Sequence, residues 1–407
     1  MLRLNPAEAM RPAPPRSGGG VLLERIGWFW QSLGSAWRMV LRNLLRARVR
    51  TLASIFAAAM GASVMVNGFM MQEAMKYMID FQFRKIMRND WDLSFKDERG
   101  EDAVREASKL PGIDYVEPTL SVACKFTHGS CEKKGSVLGL VPHARLTVPR
   151  DLAARPVRIP AHGLAMSRRM AETLHASRGD LVGIEPIKGD RRVQYVPVEA
   201  IADSYLGMYV YADIGYLSHL VGEELATSGV QLATDRDPQH REALLHELKQ
   251  LPALQSVTAR ADMIATLEDT IVKNQSVIID LFVVFTGIVF FGSILNASLV
   301  SLAERQRELA TLRVLGYSPW EVGRLLLRES LITTTLGAFL GMPLGYALTM
   351  TIAVAYASDL FRLPLVAPMG MWMKTLFFAV GFGLLTHIFV QKQVNNMDWL
   401  DALQTKE

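Results

Sequence analysis

Hydrophobic and polar positions divide this chain into four long apolar runs and one block with the pattern of an ordinary water-soluble domain. Residues 51–71, 281–303 and 330–358 carry no charged side chain. At 1.5 Å rise per residue, even the shortest of these makes about 31 Å of helix, the thickness of a hydrocarbon core. Residues 375–390 form a shorter run preceded by the apolar segment 363–373, and they span once the amine of Lys374 snorkels to the surface. The pattern predicts a membrane protein with four transmembrane α-helices, at 51–71, 277–303, 330–358 and 375–391. Buried helices of one large soluble core are the alternative, and four separate charge-free runs argue against it.

The period changes between the first two runs. Helical spacing continues through Met75, Met78, Ile79 and Ile86, and returns through Ile264, Leu267, Ile271 and Val272, so the first two spans are predicted to project as a stalk. From Trp91 the period is two: Trp91, Leu93 and Phe95 alternate with polar residues, which marks a strand. Residues 181–187 and 193–201, joined by Lys188-Gly189-Asp190-Arg191, read as a β-hairpin. Asp237 as N-cap and Pro238 as first helical residue open a helix through Leu244, Leu245 and Leu248 that stops at Pro252. Residues 72–276 are therefore predicted to form a large α+β extracytoplasmic domain of two lobes between the first and second spans.

At the start, Pro12, Pro14, Pro15 and Gly18, Gly19 and Gly20 give residues 1–21 the composition of a flexible linker. Residues 22–50 carry Trp28, Phe29, Trp30, Leu33, Trp37, Val40, Leu41 and Leu44 near helical spacing among arginines. This predicts an amphipathic juxtamembrane helix at the cytoplasmic surface, with packing against a soluble partner as the alternative. Fifty residues precede the first run with no short basic region beside a cleavage site, so the run is expected to stay as an anchor. Arg38, Arg42, Arg46, Arg48 and Arg50 crowd its front, whereas Glu73, Lys76, Asp80, Arg84 and Lys85 behind it are mixed. The positive side faces the cytoplasm. Both termini are then cytoplasmic, with 304–329 a cytoplasmic loop, 359–374 a loop on the far side and 392–407 a cytoplasmic tail. Asn5-Pro6-Ala7-Glu8-Ala9-Met10 echoes Asp398-Trp399-Leu400-Asp401-Ala402-Leu403, as it would if the chain were the C-terminal half of a duplicated permease.

Composition sharpens this picture. Half of the residues are hydrophobic and 21% charged, against about 25% charged in soluble domains, which excludes an ordinary cytosolic enzyme. Lys and Arg outnumber Asp and Glu by 44 to 40, and so small a net charge gives no field for nucleic acid. Cys124 and Cys131 fall in the domain expected outside the cytoplasm, where a disulfide closing the loop 125–130 competes with free thiols. A metal site of Cys124, His128 and Cys131 lacks a fourth ligand. His246-Glu247 begins a zinc-protease motif, but Gln250 stands where the second His is needed. Asn67, Asn296 and His387 are polar groups within spans and Asp280 lies at an edge; hydrogen bonds between helices and snorkelling account for them more simply than a proton relay. Gly337, Gly341 and Gly345 repeat every four residues along the third span, as close helix packing requires, with a kink at Pro343 as the alternative.

Most of the information lies in the loop 304–329. Residues 302–315 read as one amphipathic helix with Glu304, Arg305, Arg307 and Glu308 charged and Leu309, Leu312 and Leu315 on the opposite side. Gly316 occupies the position of a left-handed C-terminal cap. Ser318-Pro319-Trp320-Glu321 is a capping box with proline at the first helical position. The loop thus specifies helix, elbow, helix.

The run Glu304-Arg305-Gln306-Arg307-Glu308-Leu309-Ala310-Thr311-Leu312-Arg313-Val314-Leu315-Gly316-Tyr317-Ser318, followed by Glu329 and a glycine-rich span, resembles the signature of the FtsX-like permease superfamily. That superfamily includes the MacB-type exporters, the lipoprotein-releasing permeases and the cell-division permease. The resemblance implies an ABC transporter membrane subunit in a bacterial inner membrane. Its elbow, through Glu304, Arg305, Arg307, Glu308, Arg313, Gly316, Ser318, Pro319 and Glu321, would dock on an ATPase and change the shape of the external domain by mechanotransmission. It further implies a second permease copy or related half, a periplasmic adaptor, and export or handling of lipids, lipoproteins or drugs in contact with membrane lipids. No G-x-x-x-x-G-K-[ST] occurs in the 407 residues, so ATP hydrolysis is expected on a separate subunit, and no catalytic residue, metal or cofactor of the chain's own is expected. A regulatory scaffold that controls a cell-wall hydrolase, as in the cell-division member, is the alternative.

Overall fold

Each of the four apolar runs is helical in the computed structural model, which describes residues 31–188, 191–223, 226–235, 237–358 and 361–397. The expected linker at 1–21, the front of the juxtamembrane helix, the centre of the 188–191 turn and residues 398–407 of the tail, with the echo, lie outside the described residues. Helix α1, Ser35–Arg46, follows Gly34 and buries Val40 and Leu44, one turn apart. Helix α2, Arg48–Asp80, runs on into a π-helical turn, Phe81–Ile86.

Strands and short helices follow: β1, Trp91–Arg99; α3, Asp102–Ala107; β2, Ile113–His128; β3, Cys131–Leu140; β4, Leu164–Ser167; α4, Arg168–Leu174; β5, Leu181–Pro186; β6, Gln194–Ala202; β7, Val210–Asp213; α5, Ile214–Val221; β8, Thr227–Thr234; α6, Pro238–Gln250; β9, Leu254–Ala259; α7, Arg260–Leu267. A second π-helical segment, Glu268–Lys273, leads into α8, Asn274–Glu304, and then α9, Gln306–Val314, α10, Pro319–Ala355, and α11, Met369–Asn395, complete the chain. The helices Arg48–Ile86, Val277–Glu304, Pro319–Ala355 and Met369–Asn395 are long and apolar enough to cross a membrane.

Two differences from expectation concern boundaries. The helix predicted over 302–315 is broken at Arg305, whose backbone leaves the helical region (φ −115°, ψ 15°), while its guanidinium is committed to the carboxylates of Glu308 and Glu329. The last helix starts within the predicted loop, at Met369. Pro368 supplies the first carbonyl, to the amide of Met371 at 2.9 Å, and nothing between Met369 and Lys374 breaks a helix.

The chain forms two compact units. The first comprises the described residues up to Val66, Val284–Gly345 and those from Trp372 onward; the second comprises Asn67–Val283 and Tyr346–Met371. In the first, Ala58, Ala62, Phe290, Ile294, Ala338 and Ala379 are packed together. The second carries nine strands in the order β3-β7-β4-β6-β5-β2-β8-β1-β9, with β3 also paired to β2.

That extra pairing closes six strands, β2, β3, β7, β4, β6 and β5, into a ring, and leaves β2, β8, β1 and β9 as an open sheet. The long strand β2 belongs to both: residues 113–119 pair with β8 and residues 120–128 with β3. The open sheet, in order β9-β1-β8-β2, with α3 after β1 and α6 between β8 and β9, is a split βαβ arrangement into which the ring is inserted. The two lobes therefore have separate cores, one around Phe126, Leu164 and Val198 and one around Trp91, Leu93, Val230 and Leu244. The predicted hairpin is β5 and β6, antiparallel with Leu181 opposite Pro197. Asp237 caps α6 as predicted, accepting from the amide of Gln239 at 2.9 Å.

Candidate functional site

The elbow at 315–318 is built by local hydrogen bonds. At the end of α9 the amide of Tyr317 donates to the carbonyl of Leu312 at 3.1 Å and that of Gly316 to Arg313 at 3.0 Å. This is the Schellman pattern, which requires a left-handed residue at Gly316 (φ +98°). On the other side, the amide and hydroxyl of Ser318 donate to Glu321 Oε2 at 2.7 and 3.0 Å, and the amide of Glu321 donates back to Ser318 Oγ at 3.3 Å. Arg313 Nη1 ties the turn across by donating to the carbonyl of Tyr317 at 2.7 Å. The elbow is thus fixed from both sides by its own residues.

Its apolar side chains divide. Leu309 packs with Val322, Leu326, Val390 and Val394, and Leu312 lies against them. Leu315, expected on that inner side, is turned outward by the Schellman cap: Val314, Leu315 and Trp320 are 71%, 70% and 57% exposed. Arg307 is exposed beside them, its carbonyl accepting from the hydroxyl of Thr311. Pro319 begins α10 and its carbonyl accepts from Gln391 Nε2 at 3.2 Å.

Behind the elbow lies a charge cluster that joins four helices. Arg50, at the start of α2, donates to Glu304 at 2.8 Å and to Glu329 on α10 at 3.2 Å. Arg305 holds the other oxygen of Glu329 at 2.9 Å and also Glu308 at 2.9 Å. Ser301 Oγ adds a weaker bond to Glu329 at 3.4 Å. The side chains of Glu329 and Arg305 are each only 11% exposed. A carboxylate so placed needs its cations, because desolvation otherwise drives it neutral.

Of the sequence candidates, Glu304, Arg305 and Glu308 are brought together here, whereas Ser318 and Glu321 bond each other and Arg307 stands apart. Arg50 and the central role of Glu329 were missed. Arg50 counted only as one of five flanking arginines; the available signal was a lone Glu329 at the mouth of a charge-free run, which implies a buried partner. The adjoining cavity, lined by Ser54, Ser301, Ser330 and Thr333, measures about 40 Å³, far below the several hundred of a ligand site.

Gly337, Gly341 and Gly345 face α2 at backbone distance. A Cβ on Gly337 would lie 2.4 Å from that of Ala58, one on Gly341 2.4 Å from the carbonyl oxygen of Ala59, and one on Gly345 2.6 Å from that of Ser63. The stripe packs helices, and α10 passes Pro343 as one helix.

A family model falls on the same segment. Residues 281–397, which contain the elbow, Glu329 and the glycine stripe, match the FtsX-like permease C-terminal family. A macrolide export ATP-binding/permease protein MacB from Rhodopseudomonas palustris is 22% identical over 96% of this chain and 64% of its own length. The chain resembles the FtsX/MacB-type permeases. A MacB from Yersinia pestis is 21% identical over 88% of the chain and 59% of its own length, so the chain spans about three fifths of the curated relatives it matches. Among solved structures, the periplasmic region of MacB from Actinobacillus actinomycetemcomitans covers 47% of the chain at 12% identity (TM-score 0.32). The extracellular domain of the noncanonic ABC-type transporter YknZ from Gram-positive bacteria covers 42% at 14% identity (TM-score 0.30).

The other sequence candidates lie elsewhere in the structure. Cys124 and Cys131 are both free, the alternative to a disulfide between them. They lie on a hairpin in which Cys124 faces Gly135 and Cys131 faces His128. Four residues of strand, about 13 Å, separate Cys131 from the position opposite Cys124, beyond the roughly 7 Å that a disulfide bridges. Burial pushes the Cys124 thiol up to about 12. No group of three His, Cys, Asp or Glu able to hold a metal occurs among the described residues. Asn67 donates to Thr349 Oγ1 at 3.1 Å, the interhelical bond expected of it. His387 lies 6.1 Å from the ring of Trp320, and Asp280 and Asn296 are exposed.

Proposed function

We propose that this chain is the membrane subunit of an ABC-type exporter whose elbow receives the ATP-driven movement. The observation that carries this reading is the elbow itself: an apolar knob of Val314, Leu315 and Trp320 on a turn fixed by caps on both sides, with the Arg50, Glu304, Arg305 and Glu329 cluster behind it. A knob of this kind is suited to a groove on an ATPase outside these 407 residues. Movement of the elbow then acts on α10 directly and on α2 through Arg50, and α2 and α8 carry it into the α+β domain. The 407 residues contain no G-x-x-x-x-G-K-[ST] run, which supports a mechanical part for them. The positive-inside pattern supports a cytoplasmic elbow and an extracytoplasmic α+β domain in a bacterial inner membrane. A second permease copy or related half and a periplasmic adaptor complete the proposed assembly, and the substrates are amphiphiles taken from the membrane or the space outside it.

Gly316→Pro tests the reading, because proline fixes φ near −65° where the elbow needs +98°. The chain is purified from membranes in mild detergent with the ATPase that accompanies it. Hydrolysis that is lost or no longer responsive to substrate in the variant, at unchanged thermal stability, is the expected result. Failure to recover any ATPase, or full coupling in Gly316→Pro, sinks it.

A further inference from the structure

A cavity of about 590 Å³ lies within the α+β unit, at the C-terminal end of α10. One wall is apolar. Met350, Ala353, Val354 and Ala357 recur at helical spacing on α10, and Leu363 and Leu365 follow on the returning chain. Met350 and Val354 are 51% and 71% exposed, and both lie toward the end of the charge-free run 330–358, where a span of this length meets the edge of the hydrocarbon. The returning segment is pinned: the amide of Arg362 donates to the carbonyl of Tyr205 at 2.9 Å, and Phe361 forms a β-bridge with Leu206.

The rest of the lining is charged. Arg169 and Glu172, one turn apart on α4, meet Arg362 there beside the phenol of Tyr205. Glu172 is shared between the two guanidiniums at 3.7 Å from Arg169 and 3.5 Å from Arg362. These are loose contacts, longer than the 2.7–2.9 Å of a well-made charged hydrogen bond. Two cations against one carboxylate leave one positive charge uncompensated. The Arg169 Nε is buried with no hydrogen-bond partner, a cost that an added acceptor would remove. A volume of this size suits a small organic ligand or the head and upper chain of a larger amphiphile.

We propose that this cavity holds an anionic phospholipid of the bilayer, with its phosphate between Arg169 and Arg362 and an acyl chain laid along Met350 and Val354. A free anion would leave the apolar wall without an occupant, and a neutral lipid would leave the excess charge unanswered. The inference stands independently of ATP coupling at the elbow.

The test uses the full chain in nanodiscs of equal phosphatidylglycerol and phosphatidylcholine, with the lipid retained after detergent extraction quantified by mass spectrometry. Wild type is expected to retain phosphatidylglycerol over phosphatidylcholine by about twelvefold, the lower end of what one hydrogen bond to a charged group contributes. R169Q/R362Q is expected to abolish the preference, and Glu172→Gln, which removes the competing carboxylate, to increase it. The opposite signs of these changes separate binding from misfolding. Millimolar glycerol 3-phosphate is expected to leave the retained lipid in place. Equal retention of both lipids by wild type, an unchanged preference in R169Q/R362Q, or displacement by glycerol 3-phosphate would overturn the proposal, the last by making this a site for soluble anions.

Discussion

In the α+β unit the large side chains point inward, with Phe126, Leu164, Met166 and Met170 fully buried, whereas in the helical unit Phe377, Met373 and Phe339 are 75%, 66% and 55% exposed. The difference follows from the solvent. Water rewards burial by about 25 cal/mol per Å² of apolar surface, so the strands turn their aliphatic faces to a common core. Lipid offers no such reward for bringing apolar helices together, and association rests on close packing and polar contacts. Glycine at backbone distance and the Arg50, Arg305 and Glu329 cluster supply both.

The comparison can be broken most directly in the barrel core. Phe126→Ala is expected to cost about 3–5 kcal/mol, seen as loss of protease resistance in residues 91–259 while the four long helices stay protected. Simultaneous loss of both would mean the two units do not respond as separate cores. Next comes Gly341→Val, whose Cβ would meet the Ala59 carbonyl at 2.4 Å. It is expected to destabilise by about 3 kcal/mol, read as a lowered melting temperature in detergent. Gly292→Val, at a position with nothing within 4 Å, should leave the melt nearly unchanged.

A smaller effect is expected in the charge cluster. Glu329→Gln leaves Arg305 with only the exposed Glu308 and Arg50 with only the exposed Glu304 as counter-charge, at about 2 kcal/mol, while Glu304→Gln, whose carboxylate is 58% exposed, should cost no more than about 0.5 kcal/mol. Equal melting temperatures for the two variants would show the cluster to be ornamental to stability. The smallest concerns the thiols. With Cys124 buried and its thiol pushed up to about 12, maleimide at neutral pH should label one cysteine per chain before denaturation and two after it. A reduction-sensitive shift on a gel would restore the disulfide.

What could be read along the chain shares a physical basis. Spans depend on length and lack of charge, and the elbow on caps between residues three to five apart, so Gly316, Ser318 and Glu321 announce their geometry in the sequence. The capped start of α6 at Asp237-Pro238 was legible for the same reason, as was the hairpin of β5 and β6, whose strands alternate and sit a short turn apart.

The remainder depended on partners that local rules do not reach. Arg50 and Glu329 are 279 residues apart, and only the packing of α2 against α10 through the glycine stripe makes them neighbours. Leu315 has the period of an inward residue, and the reversal of the chain at Gly316 exposes it. The register of β2 and β3 decided that Cys124 faces Gly135 rather than a second thiol, and the bridging of two sheets by β2 is invisible in its alternation, which is the same in either sheet. The sequence by itself determined the elements and their caps, because those energies are summed over adjacent residues. The tertiary structure alone decided which charges are buried together and which apolar side chains remain exposed, because desolvation and packing depend on what the rest of the chain brings alongside.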